Sequence, residues 1–369
     1  MIPRSGGQYV FARYALGEYA GFIVGWSDWI STCGATAALS LVVGGFAAAL
    51  FPALSGRGVV ITAVSVTLAF GLLQWRGIAM GSTAQNVTSL VKTVAFIALI
   101  VAAFALGGGG SFTNMRTSNG PIGMALFTAV VLALQSVIYT YDGWTGVIYF
   151  SEEVKNPGKE IPRAMIFGVL AVIAIYLLLN ISILYVLPIS QIVGKDFAAG
   201  AAADALFGRY GDPIFRTITI VSLVSAINAC HLMATRVLFA MSRDGLFLKR
   251  MANVNAGGTP AFSLWLSVAV SILFIFLGET FDKVITVVAF FFVAAYVISF
   301  ISVFVLRVRE PEKPRPYRAW GYPWTTGAVL IGGILFLAGA VASDTRNSIY
   351  ALILLAVSYP TFRAVKRFI

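Results

Sequence analysis

Charge is the scarcest property of this 369-residue chain: Lys, Arg, Asp and Glu together make up 11% of it, whereas a soluble domain carries about a quarter. With 26 basic and 15 acidic residues against 59% hydrophobic, there is too little polar surface to clothe a globule of this length. The bilayer is therefore the solvent. Histidine is nearly absent as well. A single His231 excludes multi-histidine metal sites, and the two cysteines, Cys33 and Cys230, each inside a long apolar run, offer neither a disulfide framework nor a metal cluster. No G-x-x-x-x-G-K-[ST] stretch is present to cradle nucleotide phosphates, so ATP is not the expected fuel. Paired aspartates, metal-ligand spacings and Ser–His arrangements are missing from the apolar segments, which points to no enzyme and no cofactor.

What the chain has in abundance is apolar length. A membrane-spanning helix needs about 20 predominantly apolar residues, because about 30 Å of hydrocarbon is crossed at about 1.5 Å per residue. Ten segments qualify: 17–50, 59–75, 87–106, 122–150, 161–187, 213–241, 261–277, 281–306, 324–342 and 349–362. Long unbroken runs, rather than alternation over about ten residues, select helices over barrel strands. The expected fold class is an all-α polytopic membrane protein with ten transmembrane helices, forming a single domain over 1–369.

Ten crossings put both termini on one side. Of the 26 basic residues, nineteen fall on that side, among them Arg4, Arg13, Lys155, Lys159, Arg163, Arg243, Arg315 and Lys366. Seven lie opposite: Arg57, Arg116, Lys195, Arg209, Arg216, Lys283 and Arg346. The richer side faces the cytoplasm, which places the N- and C-termini there and the protein in the plasma (cytoplasmic) membrane. A net charge of +11 then reports insertion direction, with attraction to anionic lipid headgroups as a minor addition, and no nucleic acid partner. The polar stretch 1–14 lacks the pattern of a cleavable signal peptide. Gly107–Gly110 reads as a flexible outer loop, and Gly21 with Gly25 forms a small-x-x-x-small face for close helix packing.

The fourth segment carries the chemistry. At 29 residues, 122–150 would stretch about 43 Å as one helix, and its second half holds Tyr139, Thr140, Tyr141, Asp142, Gly143 and Trp144. An aspartate at bilayer depth costs about 2.5–3.5 kcal/mol and a helical glycine about 1 kcal/mol, so this cluster requires a compensating environment. One reading breaks the helix around Thr140 to Gly143, freeing amides and carbonyls to line a wet cavity. The other places Asp142 at the cytoplasmic interface, with Trp144 as an anchor. After this cluster, Pro-Gly at Pro157–Gly158 turns the chain and Pro162 suits the first turn of the next helix.

The stretch Y-D-G-W-T-G-V-I-Y-F-S-E-E-V-K-N-P-G-K-E-I-P-R-A, beginning at Tyr141, resembles the sixth helix and following loop of the amino acid-polyamine-organocation superfamily, particularly its amino acid permeases. Three further stretches are similar in order and spacing: G-G-Q-Y-V-F-A-R-Y-A-L-G-E-Y-A-G-F-I-V-G-W near the start, M-S-R-D-G-L-F-L after the sixth segment, and R-P-Y-R-A-W-G-Y-P before the ninth. The resemblance implies helices 3–12 of the LeuT-like five-plus-five inverted-repeat fold, without helices one and two. On that reading 1–16 is a cytoplasmic N-terminal segment, 17–121 the remnant of the first repeat, 122–306 the second repeat, and 307–369 a cytoplasmic loop with two further helices.

The implied function is a secondary active transporter that moves amino acids by alternating access, proton-coupled or exchanging. Substrate-binding positions carried over are Ile138, Tyr139, Thr140, Tyr141, Asp142 and Gly143 at the helix break, with Asn228 and Cys230 opposite. Lys92 matches a helix-five lysine that stands in place of a sodium ion; taken alone it also reads as a lysine snorkelling to the membrane surface. Proton coupling is assigned to Lys92, Asp28 and His231, although a lone membrane histidine also serves simply to bond a neighbouring helix. Asp28 is expected to pair in the interior, with Lys92 or along the cavity. Trp26 and Trp29 read as helix-packing or lipid-facing residues rather than a cation box. The competing reading is a truncated, non-transporting membrane subunit, solute sensor or inactive fragment.

Overall fold

The computed structural model describes the backbone of residues 4–77, 79–107, 110–115, 122–278 and 280–368, and within them the side chains of all but 79–88, 153 and 368. Among the described residues the structure is helical, with no strand. Helices α1 (Tyr9–Leu16), α2 (Glu18–Leu50), α3 (Arg57–Arg76), α4 (Ala79–Leu106) and α5 (Met124–Tyr141) lead into a 3-10 segment, Gly146–Glu153. There follow α6 (Pro157–Val186), the short α7 (Ile189–Ile192) and α8 (Ala198–Phe207), then α9 (Gly211–Arg243), α10 (Ala261–Gly278), α11 (Phe281–Arg309), α12 (Trp324–Ser343) and α13 (Thr345–Phe368). Ten of these stretches are long and apolar enough to cross a membrane, and they coincide with the ten expected from hydropathy.

Helix α2 is the axis of the bundle, packing against α1, α3, α9, α10, α11 and α13. Its composition explains why. Small residues let neighbours approach closely: Gly25 lies against Met241 of α9, Gly34 against Val288 of α11, and Gly44 against the Val59 carbonyl of α3. Gly21, the other member of the expected small-residue face, meets Arg13 of α1. The buried hydroxyls of α2 are satisfied within the helix, Thr32 donating to the Asp28 carbonyl (2.7 Å), Thr36 to Thr32 (3.0 Å) and Ser40 to Thr36 (2.8 Å). Both tryptophans serve packing, Trp29 Nε1 donating to Ser267 Oγ (2.9 Å) and Trp26 Nε1 to the Leu354 carbonyl (3.1 Å). At the periphery, α6 buries only Ser182 and Ile183 and leaves Phe167, Leu170 and Leu177 exposed to the lipid.

One local expectation is met and one changes. The fourth segment is broken as the first reading expects, with α5 ending at Tyr141. Pro162 is not in a first turn, since α6 starts four residues earlier than expected: Pro157 takes the opening position, and Lys159 and Glu160 donate their amides to the Asn156 carbonyl. Proline has no N–H to lose at a helix start, and Pro157 reaches that place first. In the glycine run, Gly110 packs on Tyr185 and the Ser111 amide donates to the Tyr185 carbonyl (2.9 Å); Gly108, Gly109 and Arg116 lie outside the described residues.

Candidate functional site

Eighteen residues of regular helix in α5 give way to a different backbone. Asp142 is extended (φ −64°, ψ 156°), Gly143 has φ +104°, and the 3-10 segment begins at Gly146. A positive φ of this size is open to glycine and strained for other residues. The break thus starts at Asp142, two residues into the stretch Thr140 to Gly143 where uncoiling is expected: Thr140 is still helical and donates its Oγ1 to the Ser136 carbonyl (2.7 Å). Beyond it, the carbonyls of Thr140 and Tyr141 accept no hydrogen bond from any described residue. Exposed carbonyls at a helix C-terminus carry the negative end of its dipole.

Both flanks of the break are tied to neighbouring helices. Asp142 accepts a hydrogen bond from Tyr296 Oη of α11, and Trp144 Nε1 donates to the same phenol oxygen at 3.1 Å. On the other side, Tyr149 of the 3-10 segment donates to Asp28 Oδ1 of α2 at 2.6 Å. Asp28 is buried, and its Oδ2 has no hydrogen-bond partner among the described residues. Its interior partner is thus a tyrosine, and no ion pair joins it to Lys92.

Ile138, Tyr139 and Cys230 are brought together. With Phe281 and Tyr296 they pack on one apolar cluster built around Ala35, Ala38, Ile275 and Val288. Tyr139 sits edge-on to Phe281, ring centroids 5.6 Å apart, and its Oη approaches the Ala35 carbonyl at 3.5 Å. Thr140 is exposed, and Tyr141 turns to the opposite side, edge-on to Tyr176 of α6 at 5.1 Å. Asn228 is engaged with α3, where Gln74 Nε2 donates to its carbonyl (2.7 Å) and its Oδ1 (3.0 Å). His231 is fully buried beside the Thr67 backbone, and neither ring nitrogen meets hydrogen-bond geometry with a described group. Lys92 is half-buried on α4 and makes no ion pair or hydrogen bond with a described residue.

Three residues next to the break escaped sequence reasoning: Tyr149, Tyr296 and Phe281. A signal existed for the two tyrosines, because a buried carboxylate needs donors and each offers a hydroxyl within a mainly apolar segment.

A second polar assembly closes the basic side of the bundle. Asp244, at the end of α9, receives Arg4 (2.9 Å), Arg13 (3.2 Å) and the Tyr9 phenol (3.2 Å). Burial, and then the facing Asp244 carboxylate, push the Tyr9 hydroxyl well above the usual phenol range. Arg243 pairs with Glu152 at 3.0 Å, and the Glu152 amide donates to Ser5 Oγ (3.0 Å), joining the N-terminal segment, the 3-10 segment and α9.

A family model for amino acid permeases matches residues 1–359. The chain belongs to that family. It is 30% identical to the serine/threonine exchanger SteT of Bacillus subtilis over 99% of this chain and 83% of the relative. With the branched-chain amino acid permease BcaP of Bacillus subtilis it shares 25% identity over 97% of this chain and 79% of that one. The human b(0,+)-type amino acid transporter 1 is 23% identical over 96% of this chain and 73% of its own length. The polar break inside an apolar span therefore belongs to an amino acid transport protein of the membrane.

Proposed function

We propose that this permease moves amino acids across the plasma membrane by alternating access, with both termini in the cytoplasm, and that the substrate binds at the break in α5. The observation that supports this most is the end of α5 itself, where Thr140 and Tyr141 present unoccupied carbonyls beside the Asp142 carboxylate. Carbonyl dipoles at a helix C-terminus favour a cation, which suits the ammonium of a zwitterion. Ile138, Tyr139 and Cys230 form the wall next to that position, and Gly143 takes the positive φ that the turn requires. Asn228, held by Gln74, contributes by fixing α9 against α3.

Coupling is assigned to protons or to exchange. Lys92 supports the proton reading because it is a half-buried lysine inside a membrane span with no anionic partner among the described residues. Asp28 and His231 are buried titratable groups that would take part in the same proton transfer.

The test is uptake into proteoliposomes, screening radiolabelled amino acids with and without a pH gradient or an internal amino acid. Saturable uptake of at least one amino acid is expected, and its stimulation by inward acid should vanish in Lys92→Gln. No uptake of any amino acid would overturn the transport reading, whereas uptake indifferent to pH in the unmodified protein would remove the coupling role of Lys92 alone.

A further inference from the structure

Two of the stretches singled out in the sequence, K-N-P-G-K-E-I-P-R and R-P-Y-R-A-W-G-Y-P, lie far apart in the chain and play no part at the helix break. They meet at the start of α6. There a cavity of about 580 Å³ opens between the first turns of that helix and the loop that precedes α12, lined among others by Lys159, Arg163, Ile166, Pro316 and Tyr317. Its geometry is fixed from both sides. Gly158 comes so close to Pro316 that an added Cβ would stand 3.0 Å from two of its ring carbons. The adjacent Arg315 grips the Leu306 carbonyl (3.0 Å) and the Glu310 carbonyl (2.6 Å), which pins the loop to the end of α11.

The charge at this cavity is unspent. Neither Lys159 nor Arg163 has a side-chain hydrogen bond or ion pair among the described residues, and Tyr317 is 43% exposed with its hydroxyl likewise uncommitted. The two cations are four residues apart and so share one face of α6. The nearest acidic residue in sequence, Glu160, is not part of the lining. Glu310, in the facing loop, is already bound to Lys313 (2.9 Å) and Tyr14.

Depth in the membrane decides what such a site can hold. Counting about 20 residues of hydrocarbon back from the end of α6 at Val186 places its boundary close to Ile166. Arg163 then lies about 5 Å, and Lys159 about 10 Å, outside that boundary, in and just above the headgroup layer. Below them Ile166, Phe167 and Leu170 continue as an apolar strip facing lipid.

We propose that this cavity binds the headgroup of an anionic phospholipid, its phosphate held by Lys159 and Arg163 and its acyl chains lying along α6 beneath. A free inorganic anion would use the cations but not the apolar strip, and a zwitterionic lipid would use the strip with less gain from the cations.

The experiment titrates short-chain phosphatidylglycerol into the detergent-solubilised protein and follows its thermal midpoint, with phosphatidylcholine and inorganic phosphate as parallel arms. Retained lipid is counted by native mass spectrometry. Stabilisation by phosphatidylglycerol is expected, weakened about twentyfold to thirtyfold in apparent affinity by the double variant Lys159→Gln/Arg163→Gln, at about fivefold per surface cation. The control pair Lys249→Gln/Arg250→Gln, exposed on the same side but away from the cavity, should leave the titration unchanged. Equal stabilisation by phosphatidylcholine, equal stabilisation by inorganic phosphate, or an unaltered titration in the first double variant would each overturn the proposal. Both double variants replace exposed side chains, so loss of folding does not stand in for loss of binding.

Discussion

Tyr149 and Asp28, 121 residues apart in sequence, are joined by a 2.6 Å hydrogen bond that fastens the 3-10 segment after the helix break to the central helix of the bundle. The carboxylate has no other side-chain donor among the described residues, so the phenol carries most of the compensation for burying it. Tyr149→Phe should therefore cost about 1–3 kcal/mol of stability. Combining it with Asp28→Leu should recover part of that loss, because an apolar pair leaves no polar group unsatisfied. A thermal double-mutant cycle in detergent reads the coupling, and strictly additive losses would show that the two residues do not act together.

At the break, Gly143 and Gly146 separate backbone strain from crowding. Neither has an atom within 4 Å of an added Cβ, but only Gly143 has a positive φ. Gly143→Ala should lower uptake and cost about 1–3 kcal/mol, whereas Gly146→Ala should stay within about 1 kcal/mol of the parent. Equal behaviour of the two variants in uptake and melting would remove the requirement for this turn.

Tyr139 contributes through its ring more than its hydroxyl, since the contact with Ala35 is long and the edge-on packing against Phe281 is close. In the proposed substrate wall, Tyr139→Phe should keep near-parental uptake. Tyr139→Ala should lower the specificity constant about tenfold, equivalent to about 1.4 kcal/mol. Undiminished transport by the alanine variant would move the binding position elsewhere.

Two acidic residues on the basic side of the bundle should differ sharply. The Asp244 side chain is 6% exposed and serves three donors, while that of Glu152 is 40% exposed and meets an equally open Arg243. Asp244→Ala should cost about 2–3 kcal/mol because it strands the buried Tyr9 hydroxyl and releases two arginines, whereas Glu152→Gln should cost about 1 kcal/mol or less. Melting at low and high salt checks this, with the salt-sensitive share confined to the exposed pair.

The ten spans were legible because length and hydropathy are properties of contiguous sequence, and a bilayer reads contiguous sequence. The helix break was legible for a related reason: Asp142 and Gly143 together cost too much inside an unbroken apolar helix. Its start was misplaced by two residues, since Thr140 can satisfy itself on the Ser136 carbonyl and remain helical. What the sequence withheld was partnership across the bundle. Nothing near Asp28 in the chain distinguishes Tyr149 from Lys92 as its neighbour, and only the crossing of α2 with the 3-10 segment decides it. Asn228 likewise looked available until Gln74, 154 residues away, claimed both of its oxygens.

The hydroxyls buried along α2 have a mechanical consequence. Thr32 and Thr36 spend their hydrogen bonds on carbonyls of their own helix, and Ser40 alone reaches across, to Thr67. Over most of that stretch the central helix offers its neighbours a smooth bearing rather than a row of rivets. A helix sliding past the stretch between Thr32 and Thr36 trades one set of dispersion contacts for another, while Asp28, Trp29 and Ser40 mark the points where α2 is held.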